Sequence, residues 1–386
     1  MKAVVCNTAA LSVQDRPDPK PGKGQLLLRV LRCGICGSDL HARHHCGPYG
    51  KLIGRVGYQR FPKPDEDLVF GHEFCGQVIA HGPGTPKTIK EGAVVCAVPV
   101  VRNDQHIDLV GLSTHAPGAY AEQVVIDASL AMPVPNGLPP DLAALTEPMA
   151  VAWHAVRRGE VPKNGVAIVI GCGPVGLAVV SMLKAHGVKT VIASDFSAGR
   201  RALAQQCGAD LVIDPAKESP YPDWKQHEFV GDLNGLLELA VGTREQLGKL
   251  PIPWWHTWNL VEKLGVKPKM PVIFECVGVP GVLNTILDGA PLFSRVVVVG
   301  VCMQEDWIEP AMGIHKEIDL RFVLGYSPLE YRQALHMLAE GKVKCAHLIT
   351  GTVGLDGVDG AFSALGDPEK HAKILIDPQR LGTAIG

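Results

Sequence analysis

The feature that most constrains this chain is an apolar strand that runs directly into a glycine-rich turn and then a helix. Residues 165–170 are continuously apolar, GCGPVG follows, and residues 175–185 have helical periodicity. Such a run is typical of a parallel strand covered on both faces. Strands and helices continue to alternate downstream, which predicts βαβ units and a doubly wound parallel sheet of an α/β protein. The predicted strands are 165–170, 190–193, 211–213, 272–274, 295–301 and 320–324, and the predicted helices are 175–185 and 198–207.

The glycine-rich turn predicts a dinucleotide site. Gly171 permits the tight turn, Gly173 lets a pyrophosphate approach the backbone, and Gly176 permits close packing of helix on strand. Pro174 and Val175 complete the turn and begin the helix. The unpaired N–H groups and positive dipole end of this helix would face the phosphates.

An acidic residue at the end of the next strand refines the cofactor prediction. Asp195 follows the glycine turn by about 20 residues, where a carboxylate binds the adenosine ribose hydroxyls. It would repel a 2′-phosphate, so NAD(H) is favoured over NADP(H). Arg200 is expected to add a polar or stacking contact to the adenosine. The alternative is that Asp195 is only a helix N-cap or a solvated turn residue.

The regions on either side of this α/β segment are rich in short β-runs and turns. Short strands with frequent Gly and Pro favour a compact, barrel-like β domain. The simplest account is a nucleotide-binding domain over 153–326, between two parts of a β-rich domain over 1–152 and 327–386. The predicted elements of the β-rich part are the strands 25–31, 76–80, 93–98, 121–126 and 373–376 and the helix 329–340.

A Trp-rich insertion interrupts the predicted nucleotide-binding domain. The stretch 215–270 is too long for one connection between a helix and a strand. It holds Trp224, Trp254, Trp255 and Trp258. We expect it to serve in packing or as an interface, and the alternative is that it shapes the substrate cleft.

Composition and charge exclude several function classes. The chain has 386 residues, 46% of them hydrophobic, and a formal net charge of -2. It therefore has no basic excess for a polyanion partner. The chain has no stretch of about 18 uninterrupted apolar residues, so no membrane span is expected. The N-terminus lacks a secretory pattern, and the eleven scattered cysteines suit reduced thiols, so a cytoplasmic protein is expected.

Three short motifs offer a metal-ligand set. Cys36 lies in GICGSDLH, His72 in GHE, and Glu147 in EP. A thiolate, an imidazole and a carboxylate form a plausible open coordination set for zinc. The alternatives are a buried thiol for Cys36 and a satisfied core histidine for His72. Cys33 completes a CxxC with Cys36, but no second CxxC exists, so Cys33 is assigned to packing.

In this order, GICGSDLH, GHE, EP, GCGPVG and Asp195 resemble the zinc-containing medium-chain alcohol and polyol dehydrogenases over nearly the whole chain. The resemblance is closest to the sorbitol- and threonine-dehydrogenase-like branch. It implies a GroES-like β-rich catalytic domain, a Rossmann domain and an active site in the cleft between them. It also implies an oxidoreductase with zinc and NAD that forms a dimer or tetramer, with strand 295–301 as a candidate for intersubunit pairing.

By position, the resemblance makes Cys36 and His72 zinc ligands. Glu147 or Glu73 would complete the set, with exchange between them during turnover as a further option. The sequence does not choose between the two carboxylates. Lys373 would neutralise Glu73 from behind the metal.

The resemblance also implies a mechanism for reversible alcohol oxidation. Zinc would act as a Lewis acid that lowers the pKa of the alcohol, and hydride would pass to the nicotinamide. Asp39 would orient His72. The proton would leave through Ser38, the ribose hydroxyls of the nicotinamide and His41, whose imidazole exchanges protons near neutral pH.

The chain departs from the family pattern in its metal motifs and loops. Region 93–120 holds Cys96 alone, where many relatives carry four closely spaced cysteines for a structural zinc. One catalytic zinc per chain is therefore expected. The stretch 42–67 is longer than usual, and its His-His-Cys sequence at 44–46 lacks a credible ligand set. We predict a solvated loop that borders the cleft and biases substrate choice.

Three other functions compete with this prediction. A zinc-free quinone or enoyl reductase of the same fold shares the glycine turn but has no reason to keep Cys36, His72 and Glu147 together. A non-enzymatic role would not need the Ser38 and His41 relay. Oxidation of formaldehyde or another aldehyde stays an alternative, because the sequence does not identify the residues that line the substrate pocket.

Overall fold

The structure, a computed structural model, describes residues 1–221, 229–265 and 268–386. Trp224, one of the tryptophans of the Trp-rich insertion, lies outside these residues. The N-terminal third consists mainly of short strands whose inward faces are apolar, as in β4, where Phe74, Cys75 and Val78 are buried. These strands are β1 (Lys2–Asn7), β2 (Ala10–Asp15), β3 (Gln25–Gly34), β4 (Glu73–His81), β5 (Val94–Ala97), β6 (Val100–Asn103), β7 (His106–Leu109), β8 (Gln123–Asp127) and β9 (Ala131–Pro133).

The second half of the chain supplies a parallel sheet of six strands. Its spatial order is β12-β11-β10-β13-β14-β15, and each neighbouring pair is parallel. The order reverses between β10 and β13, where the carboxyl ends of the strands open a crevice for ligands. The predicted doubly wound sheet is confirmed. Its strands are β10 (Val166–Ile170), β11 (Thr190–Ser194), β12 (Leu211–Ile213), β13 (Val272–Glu275), β14 (Arg295–Val298) and β15 (Asp319–Phe322).

The last two strands return to the N-terminal sheet. β16 (Ile349–Val353) pairs with β17 (Lys373–Ile376), and β17 pairs antiparallel with β3, with Leu375 opposite Gly34. The β-rich sheet is thus closed by residues more than 300 positions apart in the sequence. The exact domain boundaries 152/153 and 326/327 stay predictions.

Helices cover both sheets and join them. Helix α3 was not predicted, although it is largely buried and packs on α4 and α10. The helices are α1 (Gly37–Arg55), α2 (Pro140–Ala143), α3 (Thr146–Gly159), α4 (Pro174–His186), α5 (Ala198–Gln206), α6 (Leu233–Gly248), α7 (Trp254–Lys263), α8 (Val282–Gly289), α9 (Pro310–Lys316), α10 (Pro328–Ala339) and α11 (Val358–Ala364). None of the helices within the described ranges has the length and apolar character needed to cross a membrane.

The prediction of a solvated loop over 42–67 is wrong for its first half. Helix α1 continues to Arg55, although it contains Pro48. A kink at His45, with φ -127° and ψ 31°, breaks the helical geometry just before the proline. The kink accommodates a residue that lacks an N–H and would otherwise clash with the preceding turn. His44 and His45 are nevertheless exposed, as expected.

The Trp-rich insertion forms a hairpin of α6 and α7, in which Trp254 contacts Trp255 and Trp258 edge to face, each at 6.0 Å between ring centroids. Phe229 and Lys269 form a bridge where the insertion leaves and rejoins the domain. This bridge lies just before β13 begins, at the amino ends of the parallel strands. The cofactor crevice opens at their carboxyl ends, so this position argues against a role in shaping the cleft.

The strand 295–301 cannot pair between subunits in the way that the sequence suggested. β14 occupies its first half and is hydrogen-bonded on both sides, to β13 and to β15. β15 is the edge strand of the parallel sheet. The apolar character of β14 reflects burial inside the sheet.

Candidate active site

Cys36, His72 and Glu73 form a compact group of possible metal ligands. Each offers one ligand atom, and these atoms lie within 4.8 Å of one another. Cys36 precedes α1, and Glu73 begins β4. Gly34 at the end of β3 pairs directly with Glu73, so the strand register brings the two motifs together.

Glycine at position 34 leaves room for the carboxylate. A Cβ atom built on Gly34 would lie 2.1 Å from Glu73 Oε2, so a side chain at this position would displace the carboxylate. Gly71, directly before His72, has a φ of +106°, in the left-handed region that favours glycine. The glycines beside the ligand motifs therefore allow a tight backbone around the group.

Asp39 is positioned to orient His72. Its Oδ2 accepts hydrogen bonds from the Cys36 N–H at 3.1 Å and the Tyr120 hydroxyl at 2.7 Å. Its Oδ1 lies 3.3 Å from His72 Nδ1, a long and poorly aligned contact. Burial lowers the pKa of His72, but Asp39 and Cys36 outweigh burial and hold that pKa well above its usual range.

The buried Glu73 carboxylate is paired with a buried lysine. Lys373 Nζ donates to both oxygens of Glu73, at 2.8 and 2.7 Å, and to the Ile35 carbonyl at 2.9 Å. Burial alone would lower the pKa of Lys373, but Glu73 outweighs it and raises that pKa. The predicted contact between Lys373 and Glu73 is therefore present in the structure.

Glu147 lies beside the group but outside it. It occupies the first turn of α3 and is buried within the electrostatic reach of His72 and Glu73. The Tyr326 hydroxyl is close enough to Glu147 to lower the pKa of that carboxyl, against the effect of burial. Burial raises the pKa of Glu147 from 4.5 to about 7. Sequence reasoning missed Tyr326, and no motif marks it.

The donors present fit a zinc ion. Sulfur, nitrogen and carboxylate oxygen are the atoms that zinc binds in proteins, and three of them leave a position for substrate. A metal-ligating histidine usually places its second ring nitrogen against a carboxylate, as His72 Nδ1 is placed against Asp39. His72 Nε2 faces the other way, 3.4 Å from Ser38 Oγ.

Ser38 and His41 lie about one turn apart on α1, and His41 is half-buried. Its ring lies 6.4 Å from that of His45, measured between centroids. Burial, followed by the proximity of His45, lowers the pKa of His41. The helix thus carries a hydroxyl at the ligand group and an imidazole one turn further on.

The glycine turn has the backbone geometry that its sequence predicts. Gly171 has a φ of +90°, and a Cβ on Gly176 would lie 1.8 Å from the Gly171 carbonyl oxygen. Gly173 is the N-cap of α4, and Pro174 and Val175 begin that helix. Both constrained positions require glycine, and the helix N-terminus lies at the carboxyl end of β10.

Asp195 braces this turn. Its Oδ2 accepts a hydrogen bond from the Cys172 N–H at 2.7 Å, and its Oδ1 accepts one from the Ser197 N–H at 2.8 Å. The N-cap of α5 is Ser197, so the N-cap alternative for Asp195 does not hold. Arg201 donates to the Asp195 carbonyl, whereas Arg200 leaves its buried Nε without a partner among the described residues.

Comparisons with known proteins match both parts of the chain to one family. Residues 22–136 match the alcohol dehydrogenase GroES-like domain, and residues 174–340 match the zinc-binding dehydrogenase family. The chain is 28% identical to (R,R)-butanediol dehydrogenase of Bacillus subtilis strain 168, over 96% of this chain and 98% of that protein. It is 27% identical to human sorbitol dehydrogenase, over 94% of this chain and 91% of that protein.

Solved structures give the same result. The crystal structure of Bacillus subtilis 2R,3R-butanediol dehydrogenase matches with a TM-score of 0.74 and 26% identity, over 98% of this chain and 99% of that one. The crystal structure of a zinc-binding dehydrogenase from Sinorhizobium meliloti 1021 bound to NADP matches with a TM-score of 0.74 and 25% identity. The match covers 98% of this chain and 99% of that one. The fold and site define a dehydrogenase with a GroES-like and a Rossmann domain. The chain belongs to the zinc-type medium-chain alcohol dehydrogenases.

Replacing Lys373 by Met should destabilise the protein strongly, because the Glu73 carboxylate would remain buried without its partner. Breaking a buried ion pair in this way costs about 3–5 kcal/mol. Urea denaturation of the metal-free protein measures the loss. Lys342→Met is the matched control, because Lys342 is exposed and its pair with Glu340 is worth at most about 1 kcal/mol. Equal losses in the two variants would contradict this account of the pair.

Glu147→Gln should change how the stability of the metal-free protein depends on pH. The folded-state pKa of Glu147 is raised to about 7 from 4.5, so folded Glu147 keeps a proton that the unfolded chain releases. Its contribution to the free energy of unfolding is fully present below pH 4.5. This contribution is lost as the pH rises to 7, which lowers the stability by about 3 kcal/mol. Denaturation curves across this range should show a smaller fall in stability for the variant. If the stability of the variant and that of the wild type fell equally with pH, the pKa of Glu147 would not be raised.

Proposed function

We propose that this dehydrogenase reversibly oxidises a secondary, polyol-like alcohol to a ketone or aldehyde, with one catalytic zinc per chain and NAD as the hydride acceptor. The observation that carries the proposal is the group formed by Cys36, His72 and Glu73 in a chain that also holds the glycine turn. Zinc bound by these three residues would supply a Lewis acid that lowers the pKa of an alcohol.

The surrounding side chains would prepare the group for this chemistry. Asp39 would hold the His72 ring with Nε2 turned towards the ligand group. Lys373 would balance part of the negative charge of Glu73, which limits the net charge of the ligand set. Glu147 would be the neighbouring carboxylate able to replace Glu73 as a ligand.

Proton release would use α1. Ser38 lies at the ligand group, and His41 lies further along the same helix, half-buried. Together with the ribose hydroxyls of the nicotinamide they would carry the proton from the substrate to solvent. The lowered pKa of His41 suits an imidazole that accepts a proton when neutral and passes it on.

The substrate class rests on the relatives. The similar proteins are named for butanediol and sorbitol, whose reacting carbons each carry a hydroxyl-bearing neighbour. We therefore propose a secondary alcohol with a second oxygen on the adjacent carbon. A zinc-free quinone or enoyl reductase would need no ligand group, and nothing in the site favours oxidation of formaldehyde or another aldehyde.

The cofactor and the zinc count rest on two local features. The Asp195 carboxylate retains lone pairs for ribose hydroxyls and carries the negative charge that disfavours a 2′-phosphate. In region 93–120, Cys96 is buried and donates to the Ala143 carbonyl, which makes it a core residue. These features support NAD and a single, catalytic zinc, with Arg200 near the adenosine.

We also propose that the chain is cytoplasmic and forms a dimer or tetramer. Phe322 ends the edge strand β15 and is 66% exposed, and Leu324 beyond it is 93% exposed. Apolar residues beside an unpaired strand edge favour association with a second copy. Free cysteines suit a reducing compartment.

Cys36→Ser should abolish alcohol-dependent reduction of NAD, because a serine hydroxyl is a poor zinc ligand. Absorbance of NADH with butane-2,3-diol as substrate measures activity, and elemental analysis measures the metal. We expect the variant to lose its zinc and at least about a thousandfold in rate, as for other losses of metal catalysis. Cys302→Ser, which removes a partly exposed thiol elsewhere, should leave both unchanged. Retained activity in Cys36→Ser would contradict the proposal.

Asp195→Ser should shift cofactor preference towards NADP, because it removes the charge that repels a 2′-phosphate. The measurement is the ratio of kcat/KM for NAD to that for NADP. We expect this ratio to fall by about tenfold or more, since a contact to a charged group is worth about 1.5–3 kcal/mol. An unchanged ratio would show that Asp195 only braces the turn.

A further inference from the structure

The hairpin of α6 and α7 presents its apolar side chains to solvent. Both helices are fully described, and neither contains a buried residue. Ten of the 24 large apolar residues that are exposed in the described chain lie within 233–264. At roughly half exposure, ten such side chains present on the order of 1,000 Å², whereas one partner of a standard protein interface buries about 800 Å². A monomer rarely leaves so much apolar surface uncovered, so the hairpin has the size of an interaction surface.

One side of the hairpin combines exposed apolar residues with a recess. Four exposed residues of α6 recur at helical spacing and so lie on one side of that helix: Leu233, Leu237, Ala240 and Arg244. The last two also line an open cavity of about 460 Å³. The other residues that line this cavity come from α7: Trp254, Trp255, Trp258, Asn259 and Glu262. We call this side of the hairpin the cavity face.

The cavity face carries one charge of each sign. Arg244 lies over the Trp254 ring, with 5.0 Å between the guanidinium carbon and the ring centroid. Glu262 accepts a hydrogen bond from Trp258 Nε1 at 2.9 Å. Both charged residues are exposed, and neither forms an ion pair with another residue in the described ranges. The two charges are therefore available to groups outside the chain.

The charges of the hairpin favour a second copy of this chain as the partner. Within 232–264, four acidic residues stand against three Lys and Arg. A membrane surface or a nucleic acid would instead select a basic excess. A two-fold axis places residue i of one copy against residue j of the other, and j against i, so a face that binds itself needs both signs of charge. Arg244 and Glu262 meet this requirement.

We propose that the cavity faces of two copies pack against each other across a two-fold axis, with Arg244 of each copy opposite Glu262 of the other. The contact buries the exposed side chains of Leu233, Leu237 and Trp255. It is separate from the edge strand β15 and doubles the mass of any assembly that β15 forms. The hairpin joins the domain at the amino ends of the parallel strands, so the contact leaves the cofactor crevice open. The inference does not depend on the proposed reaction.

Charge reversal tests the contact, because each single change places like charges opposite each other. Sedimentation velocity over a concentration series gives the mass of the wild type, of Arg244→Glu, of Glu262→Arg and of an equimolar mixture of the two variants. When one copy of each variant meets the other, opposite charges face each other at both positions. Lys370→Glu is the control, because Lys370 is 73% exposed outside the hairpin. Circular dichroism and thermal unfolding show that each variant is folded.

We expect the wild type and Lys370→Glu to sediment at twice the mass of either hairpin variant. Each hairpin variant should raise the dissociation constant of the contact by about a hundredfold or more, since like charges across an interface are strongly unfavourable. The equimolar mixture should recover the mass of the wild type. Recovery on mixing distinguishes the contact from a loss of folding, because two misfolded variants would not restore each other.

Two results would overturn the inference. Equal masses for the wild type and the single variants would show that the cavity face does not join two copies. Single variants at half the wild-type mass that do not recover on mixing would show that Arg244 and Glu262 act within one chain or on a different protein.

Discussion

The ion pair between Glu73 and Lys373 is the interaction on which the rest of the site depends. It joins β4 to β17 across 300 residues of sequence, and both side chains are almost fully buried. Neither charge is tolerable there alone, because the desolvation of an unpaired buried ion costs several kcal/mol. The pair therefore ties the C-terminal strand to the N-terminal sheet. It also holds the Glu73 carboxylate beside Cys36 and His72, where a carboxylate ligand is useful to a cation.

The second part of the site is built by backbone geometry. In the turn after β10, Gly171 adopts a left-handed backbone conformation that favours glycine. Gly176 lies so close to the Gly171 carbonyl oxygen that there is no room for a side chain. Asp195 then links the turn to the end of β11 through the Cys172 N–H. A rigid, amide-rich turn at the carboxyl edge of a parallel sheet suits phosphates, and a sulfur, nitrogen and oxygen group suits a Lewis acid. The proposed oxidation of an alcohol would use both sites.

Much of the fold could be predicted from the sequence, because the apolar runs and the glycine turn are local signals. Most predicted strands of the parallel sheet agree with the structure to within a few residues, including 190–193 and 211–213. Helix α3 was missed although it is mostly buried, because its first residues were interpreted only as a possible metal-ligand motif. The first half of 42–67 was misassigned because it was interpreted as extra residues without a ligand set, whereas it continues α1 through a kink at His45 that accommodates Pro48.

The candidate site was predictable only where a motif carried it. GICGSDLH and GHE marked Cys36 and His72, but the sequence left Glu73 and Glu147 equal, because which carboxylate faces the group depends on strand register and side-chain reach. Only Glu73 lies within the group of possible ligands in the described chain. Tyr120 and Tyr326 carry no motif, since their roles arise from contacts between residues far apart in sequence.

The central claim is that one zinc ion at this group carries the reaction, and metal analysis tests it most directly. Zinc per chain is measured in purified protein before and after chelation, with NAD-linked oxidation of an alcohol followed in parallel. The account predicts about one zinc per chain, activity that disappears on chelation, and recovery when zinc is restored. Protein that holds no zinc and oxidises alcohols equally well with chelator would contradict it.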